Sequence, residues 1–526
     1  MKTIGKPSLL SATWDTVIKR VSVTLVLLVA CVCYGQQSVP QPVPERPPAG
    51  VQNRPPASQA QTSQSGNEAR TAEQKISPEQ AQALFRSVDE ILQFVSRDTG
   101  LPIKHEVKRK LASREEVQKY ITDRMKDDED RKRLERSEVV LKKFGLLPGE
   151  FNLQSFLVDL LKEQVAGFYN TKDKTVYLLD WVEPEAQKPV LAHELTHALQ
   201  DQNFGLEKWL KASKSGKPGS AEALMEDERV AARQAVSEGQ AMVTLVDYML
   251  VGTGQSLKTN PQIADAVMAG MVQGGQTPLY TRAPMFLREL LVFPYQFGLK
   301  FERDVLVAKG TEGAFAGAFE RPPVDTHQVM DPSAYLEARQ VPLMAVPAFE
   351  SAAGKNYQKY DLSVMGEFDD WLLLKQYADQ KSADAVSPKW RGGYYYAAIK
   401  PGAQKLAKGT ATVPDSAIAL AFVSRWQDDD AASEFAGAYA VYLPKRYPGA
   451  KEVAGAPVES APSTKIVPGI GAAVKVDVAQ RLNGLHRWSI DDGDVSIEVR
   501  GDEVLVLEEF DTAAAARITD AVFAAH

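Results

Sequence analysis

At 526 residues the chain is long enough for two to four domains, or for two with long connections. Its 25% charged and 44% hydrophobic residues and formal net charge of −7 make an ordinary soluble composition, and nothing in that balance argues for nucleic acid as a partner. The two cysteines, Cys31 and Cys33, both fall in the N-terminal segment, which excludes an internal disulfide or a cysteine metal site from the mature protein.

Residues 1–35 read as targeting sequence. Lys19 and Arg20 precede an apolar run, Val21 to Gly35, that is shorter than the roughly 20 residues of a spanning helix and leads into a polar, proline-rich stretch. That is the pattern of a secretory signal, so the expected location is the periplasm, the cell envelope or the exterior. Two processing sites compete. Residues 28–31, Leu-Val-Ala-Cys, match a bacterial lipobox and would leave a lipidated Cys31 as a membrane attachment, although Val32 is unusual after such a cysteine. Cys33-Tyr34-Gly35 before Gln36 instead offers small residues to an ordinary signal peptidase. Residues 36–75, rich in Pro, Gln, Ser and Gly, cannot bury a core and read as a disordered tether.

From Ser77 the pattern turns helical, with Leu84, Val88, Ile91, Leu92 and Val95 at three- and four-residue spacing. Ser113 to Glu116 form a capping box, and the charged segment that follows to Lys143 reads as a solvated helix face. His105, among Lys and Glu, reads as a surface histidine. Gly145 and Pro148 break the pattern before a helix that runs to about Gln164. Val165 to Leu179 reads as a hairpin around Asn-Thr-Lys-Asp-Lys.

The next stretch carries the chemistry. Residues 190–201 contain His193, Glu194 and His197 in the order H-E-x-x-H, after Pro189 and within an apolar stripe of Val190, Leu191, Leu195, Ala198 and Leu199. On a helix, positions i and i+4 share a face, so both imidazoles can reach one metal ion. Glu194, beside the first histidine, can reach a water on the open side of that metal as general base. Only six histidines occur in the chain, so two at this spacing are unlikely to be chance. A hydrolytic zinc site needs a third protein ligand. Glu238, on the proline-free segment Glu226 to Leu250 that reads as a helix, is the first candidate; His327 is the other, without the short spacing expected of a third histidine.

Lys211 to Ser220 is a basic loop. Gly252 to Thr277 holds a short helix, Pro261 to Met271, between Gly-rich turns, and reads as a cover over a cleft or as plain connections. Met285 to Lys309 is helical around Phe293-Pro294-Tyr295. Arg321 to Pro332 is a loop, anchored by Tyr335-Leu336. Pro342 to Pro347 reads as a domain boundary. Beyond it, Leu362 to Gln376 reads as a helix, Trp390 to Gly393 as a turn, and Tyr394 to Ile399 and Ala417 to Trp426 as strands. A helix begins at Asp430 and a linker spans 448–464. Three short strands then cover residues 488–490, 494–500 and 503–508, and the helix Thr512 to Ala525 closes the chain. His486 and His526 do not read as ligands.

H-E-L-T-H followed by a helix with E-G-x-A resembles the gluzincin metallopeptidases, the thermolysin-like group. The longer pattern resembles a group of uncharacterised secreted bacterial proteins with a gluzincin-like core, over roughly residues 80 to 450. That pattern comprises residues 163–169, 192–202, Phe-Pro-Tyr-x-x-Gly (293–298) and Arg-Pro-Pro-Val-Asp-Thr (321–326). The resemblance implies one Zn2+ per chain on His193, His197 and Glu238, with Glu194 as catalytic base and Tyr295 or His327 as donor to the oxyanion. It also implies a peptide or protein substrate, and a strand edge beside the cleft on which an extended peptide could pair. One departure stands out: where thermolysin has an aspartate four residues after its ligand glutamate, this chain has Met242, and Asp201 is the substitute for orienting a zinc histidine. The expected fold is α+β: a mostly helical zincin-like core over residues 76–345 with a small hairpin sheet beside the active-site helix, then an α+β accessory domain over 346–526. The rival to a peptidase is a zinc-binding but non-catalytic envelope binding or assembly factor. A zinc hydrolase of a non-peptide bond and a merely hydrogen-bonded histidine pair are further alternatives.

Overall fold

Capping residues set where the first two of the main helices begin and end. The computed structural model describes residues 75–124, 128–164, 167–211, 216–274, 277–405, 413–455 and 481–525. The expected signal, with Cys31, and the tether up to residue 74 lie outside them, as does the linker beyond residue 455. Helix α1 (Pro78–Thr99) opens on a capping box between Ser77 and Gln80 and stops at Gly100, whose φ of 72° ends it in the left-handed region. Helix α2 (Pro184–Phe204) carries the H-E-x-x-H motif. The side chain of Glu183 caps it, and Pro184 occupies its first turn. Pro189, expected to precede this helix, lies inside it. The carbonyl four residues back belongs to exposed Glu185, where water can replace the missing N–H.

Helix α3 (Glu226–Met249) and helix α4 (Met285–Glu312, kinked at Gly310) complete the helical layer around α2. Two glycines set how closely α3 and α4 approach. A Cβ on Gly239 would fall 2.3 Å from the Gly298 carbonyl oxygen, and one on Gly298 would fall 2.2 Å from the Ala235 carbonyl oxygen. Beside α2 lies a three-stranded sheet in the order β1-β3-β2, formed by β1 (Lys108–Ala112), β2 (Phe168–Asn170) and β3 (Thr175–Leu179). β2 and β3 are the expected hairpin; β1, which pairs parallel to β3, has no counterpart in the sequence reading.

The second sheet has seven antiparallel strands in the order β4-β5-β6-β10-β9-β8-β7. They are β4 (Gln358–Val364), β5 (Trp390–Ile399), β6 (Ile418–Trp426), β7 (Lys451–Ala454), β8 (Gly484–Ile490), β9 (Gly493–Arg500) and β10 (Glu503–Glu508). Three expectations change here, the first being that residues 451–454, inside the expected linker, form β7. The apolar run 362–376 splits into β4 and helix α6 (Glu367–Tyr377) at Met365-Gly366, where the chain turns and Asp369 caps Gly366 N–H. Residues 390–393 are not a turn but the start of β5, with a bulge between Trp390 and Gly392. Between α4 and β4, residues 326–330 form the short helix α5 (Thr326–Met330) inside the expected loop.

Alternation along the strands divides the core. Tyr395, Ala397, Leu420, Phe422, Ile497 and Val506 point to the face covered by α6 and helix α7 (Asp429–Arg446). Tyr394, Tyr396, Ala421, Val423 and Leu505 point to the other, covered by residues 349–353 and helix α8 (Thr512–Phe523). The first of these cores is continuous from Leu84 to Val506, so it crosses the boundary at 345. Tyr442 Oη donates to Phe144 O, and Lys143 Nζ pairs with Glu509, across the same seam. The architecture is α+β. No helix among the described residues is long and apolar enough to cross a membrane.

Candidate metal centre

Helix α2 places His193 and His197 on one face, and α3 brings Glu238 against them. The three ligand atoms converge. His193 Nε2 lies 3.1 Å from His197 Nε2 and 3.2 Å from Glu238 Oε2, and His197 Nε2 lies 3.3 Å from that same oxygen. Nitrogen and oxygen ligands roughly 2.0–2.1 Å from one tetrahedral ion stand about 3.3 Å from each other, so these separations suit three ligands sharing a metal. The group of His193, His197 and Glu238 could hold a metal ion.

Charge in the cluster follows from its neighbours. Burial raises Glu238 toward protonation, but His197 and His193 outweigh it and hold the carboxyl at about 2. Burial opposes charge on His197, yet contact with Glu238 lifts it to about 9. His193 is lowered, chiefly by burial.

Glu194 lies next to this group and is 1% exposed. Burial pushes its carboxyl up to about 8. Oε2 accepts from the Tyr169 amide of β2 at 2.7 Å, while Oε1 is buried without a hydrogen-bond partner. An orphaned carboxylate oxygen at this position fits a site that takes a water or ligand as well as a metal.

The hairpin lies across the site. Tyr169 bonds Glu194 through its amide, and its hydroxyl donates to Asp201 Oδ2 at 2.9 Å. Residues 194 and 201 are two turns apart on one face of α2, so the side chain runs over the turn that carries His197. Lys174, from the β2–β3 turn, also pairs with Asp201. Asp201 is thus a latch for the hairpin and does not orient a histidine as expected. Gln200 does so instead: its Oε1 lies 2.8 Å from His197 Nδ1, because Nδ1 faces α3 and not the hairpin.

Of the two expected donors, the structure brings Tyr295 to the site: its ring lies 6.1 Å from the His193 ring, 25° from parallel. His327 is not brought there. It sits at the start of α5, with Nδ1 against Glu367 Oε2. The neighbouring Thr326 N–H and Oγ1–H both donate to Glu228, three turns back along α3 from Glu238. The group that could hold a metal ion therefore does not include His327. Met242 packs in the apolar core.

Sequence reasoning missed Tyr169, Gln200, Ser237 and Gln240. Gln200 and Ser237 flank ligands and could have been found from helical spacing; Tyr169 and Gln240 depend on tertiary packing. Compared with known family models, curated proteins and solved structures, the chain matches none.

Proposed function

We propose that this chain is an exported zinc-dependent metallohydrolase, and in the simplest case a peptidase. The observation that supports this reading is the convergence of His193, His197 and Glu238 with the unpartnered Glu194 Oε1 beside them. When bound, zinc would supply Lewis acidity toward a carbonyl and lower the pKa of the attacking water. Three protein ligands leave a fourth position for that water. Glu194, held through Oε2 by the Tyr169 amide, would take the water's proton on Oε1 and pass it to the leaving amine. Tyr295 is the remaining candidate to stabilise the oxyanion. The substrate in this reading is a peptide or protein. The signal at residues 1–35, with or without a lipid on Cys31, would carry the chain to the envelope.

A second reading is a zinc-binding envelope factor that does not turn over. Its support is burial: His193, Glu194, His197 and Glu238 are between 0% and 5% exposed, beneath the Tyr169–Asp201 latch. Metal analysis of the purified chain, followed by a peptide-library screen, separates the two. The peptidase reading expects one zinc per chain, and turnover that falls about 10²- to 10⁴-fold in Glu194→Gln with the zinc retained. Stoichiometric zinc without turnover moves the conclusion to the second reading. No zinc after reconstitution ends both.

A further inference from the structure

Behind His197, on the side away from the metal position, is a chain of buried amides. Gln240 Nε2 donates to two main-chain carbonyls, Ala314 O at 2.8 Å and Phe315 O at 3.0 Å. Both belong to the π-helical turn Gly313–Gly317 that follows α4. A carboxamide oxygen in that place would face two acceptors, so the orientation of Gln240 is determined. Its Oε1 therefore faces Gln200 and accepts from Gln200 Nε2 at 3.1 Å. The second Gln200 amide proton goes to Ser237 O at 3.0 Å. Gln200 is then oriented as well, and its Oε1 accepts from Ser237 Oγ at 3.0 Å and from His197 Nδ1 at 2.8 Å. An imidazole nitrogen beside an oriented carbonyl oxygen must carry the proton.

We infer that Gln200 and Gln240 are positioning residues, an amide relay by which the π-helical turn holds the proton on His197 Nδ1 and reserves Nε2 as the metal-facing nitrogen. The relay does the work that a carboxylate or carbonyl partner does for a metal-bound histidine, with neutral groups. It gives three of the amide and hydroxyl side chains buried between these helices, Gln200, Ser237 and Gln240, a common role. The inference rests on the proposed metal site, but the tautomer of the neutral His197 ring can be read without metal, at a pH above that at which the imidazolium titrates.

The test uses the full chain and Zn2+ alone, titrated against a chromophoric chelator, with circular dichroism confirming each variant is folded. Gln200→Leu removes the acceptor and is expected to weaken Zn2+ binding about 10- to 100-fold. Gln240→Leu, which touches neither His197 nor the metal position, is expected to weaken it by less, because Gln200 can then turn over. Gln200→Glu presents an acceptor whichever way it turns. In that background the further change Gln240→Leu should leave Zn2+ affinity unchanged, whereas a packing role gives the same loss in both backgrounds. Nitrogen-15 spectra of His197 add a second readout: with zinc bound, the Nδ1 proton should show a hydrogen-bonded shift in the wild type and lose that shift in Gln200→Leu. Wild-type Zn2+ affinity in Gln200→Leu overturns the relay, as does an unprotonated Nδ1 in the wild type. If the wild type takes no zinc, the proposed function fails, and the tautomer of neutral His197 at high pH alone decides for or against the relay: a proton on Nε2 in place of Nδ1 overturns it.

Discussion

Glu228 and Glu238 lie on one helix, α3, about 15 Å apart along its axis, and both are buried. Burial pushes both toward protonation, yet they end on opposite sides of the ordinary carboxylate range. Glu238, against two imidazoles, is held at about 2. Glu228 is raised well above its usual value by burial and then by Asp369 and Asp325, and its bonds from Thr326 do not reverse this. Around it Asp370 is raised by burial, Asp369, Glu367 and Glu228, and neither of its oxygens has a hydrogen-bond partner. A Cβ on Gly366 would fall 2.1 Å from Glu228 Oε1, so the turn before α6 closes tightly on this acidic joint. The pair teaches that depth sets how strongly a carboxyl is perturbed, and neighbours set the sign. Imidazoles make a site that can exchange a proton for a metal. Carboxylates make a joint that holds protons and ties α3 to the sheet.

The strongest break of the comparison is to remove one glutamate at a time. Glu238→Ala should abolish stoichiometric zinc, while Glu228→Gln, which keeps an acceptor for Thr326, should retain it; metal analysis of both variants reads the contrast. Equal zinc in the two would mean that the ligand set is wrong. Next in size is His327→Ala, which leaves Glu367 buried without its histidine. Chemical unfolding should show a loss of about 3–5 kcal/mol, with zinc content unchanged. Loss of zinc there would return His327 to the metal site. Gly239→Ala sets a methyl against the Gly298 main chain, which cannot rotate away. It should cost about 1–3 kcal/mol and also weaken zinc binding, because the neighbouring Glu238 moves with the helix.

The smallest change sharpens the acidic joint. Asp370 has a folded pKa above its unfolded value, so the stability it contributes is complete below the unfolded pKa and is lost as pH rises through the folded one. Asp370→Asn keeps the shape and removes the charge. It should stabilise the chain by about 1–2 kcal/mol at neutral pH, and by more under alkaline conditions, while matching the wild type in acid. Urea unfolding across that range checks it, and an Asn variant less stable than wild type at alkaline pH would show that the joint holds a cation instead of protons.

Local pattern carried much of this. The spacing of His193 and His197 needs only helical geometry, and the helix over Glu226 to Leu250 follows from composition, so the three residues that the structure brings together could be named in advance. The hairpin before α2 was legible for the same reason: polar turn residues between two apolar runs. The run 362–376 misled because apolar content without period does not separate a strand from a helix, and the break at Met365-Gly366 is a tertiary feature closed by Glu228. His327 misled because the sequence shows its neighbours Asp325 and Thr326 but not Glu367, which arrives from another element.

By itself, then, the sequence determined the shared face of His193 and His197 on α2, the helix that supplies Glu238, and the α+β class, since each depends on contacts within a few residues or on alternation along one strand. Only the tertiary structure decided which carboxylates meet imidazoles and which meet one another. It also decided that Tyr169 lies over the site, and that two glutamines link His197 to the turn after α4. The physical reason is range. Helical and strand periodicity is a property of neighbouring residues, whereas the sign of a buried charge and the direction of a buried amide are fixed by atoms that only packing brings within about 3 Å.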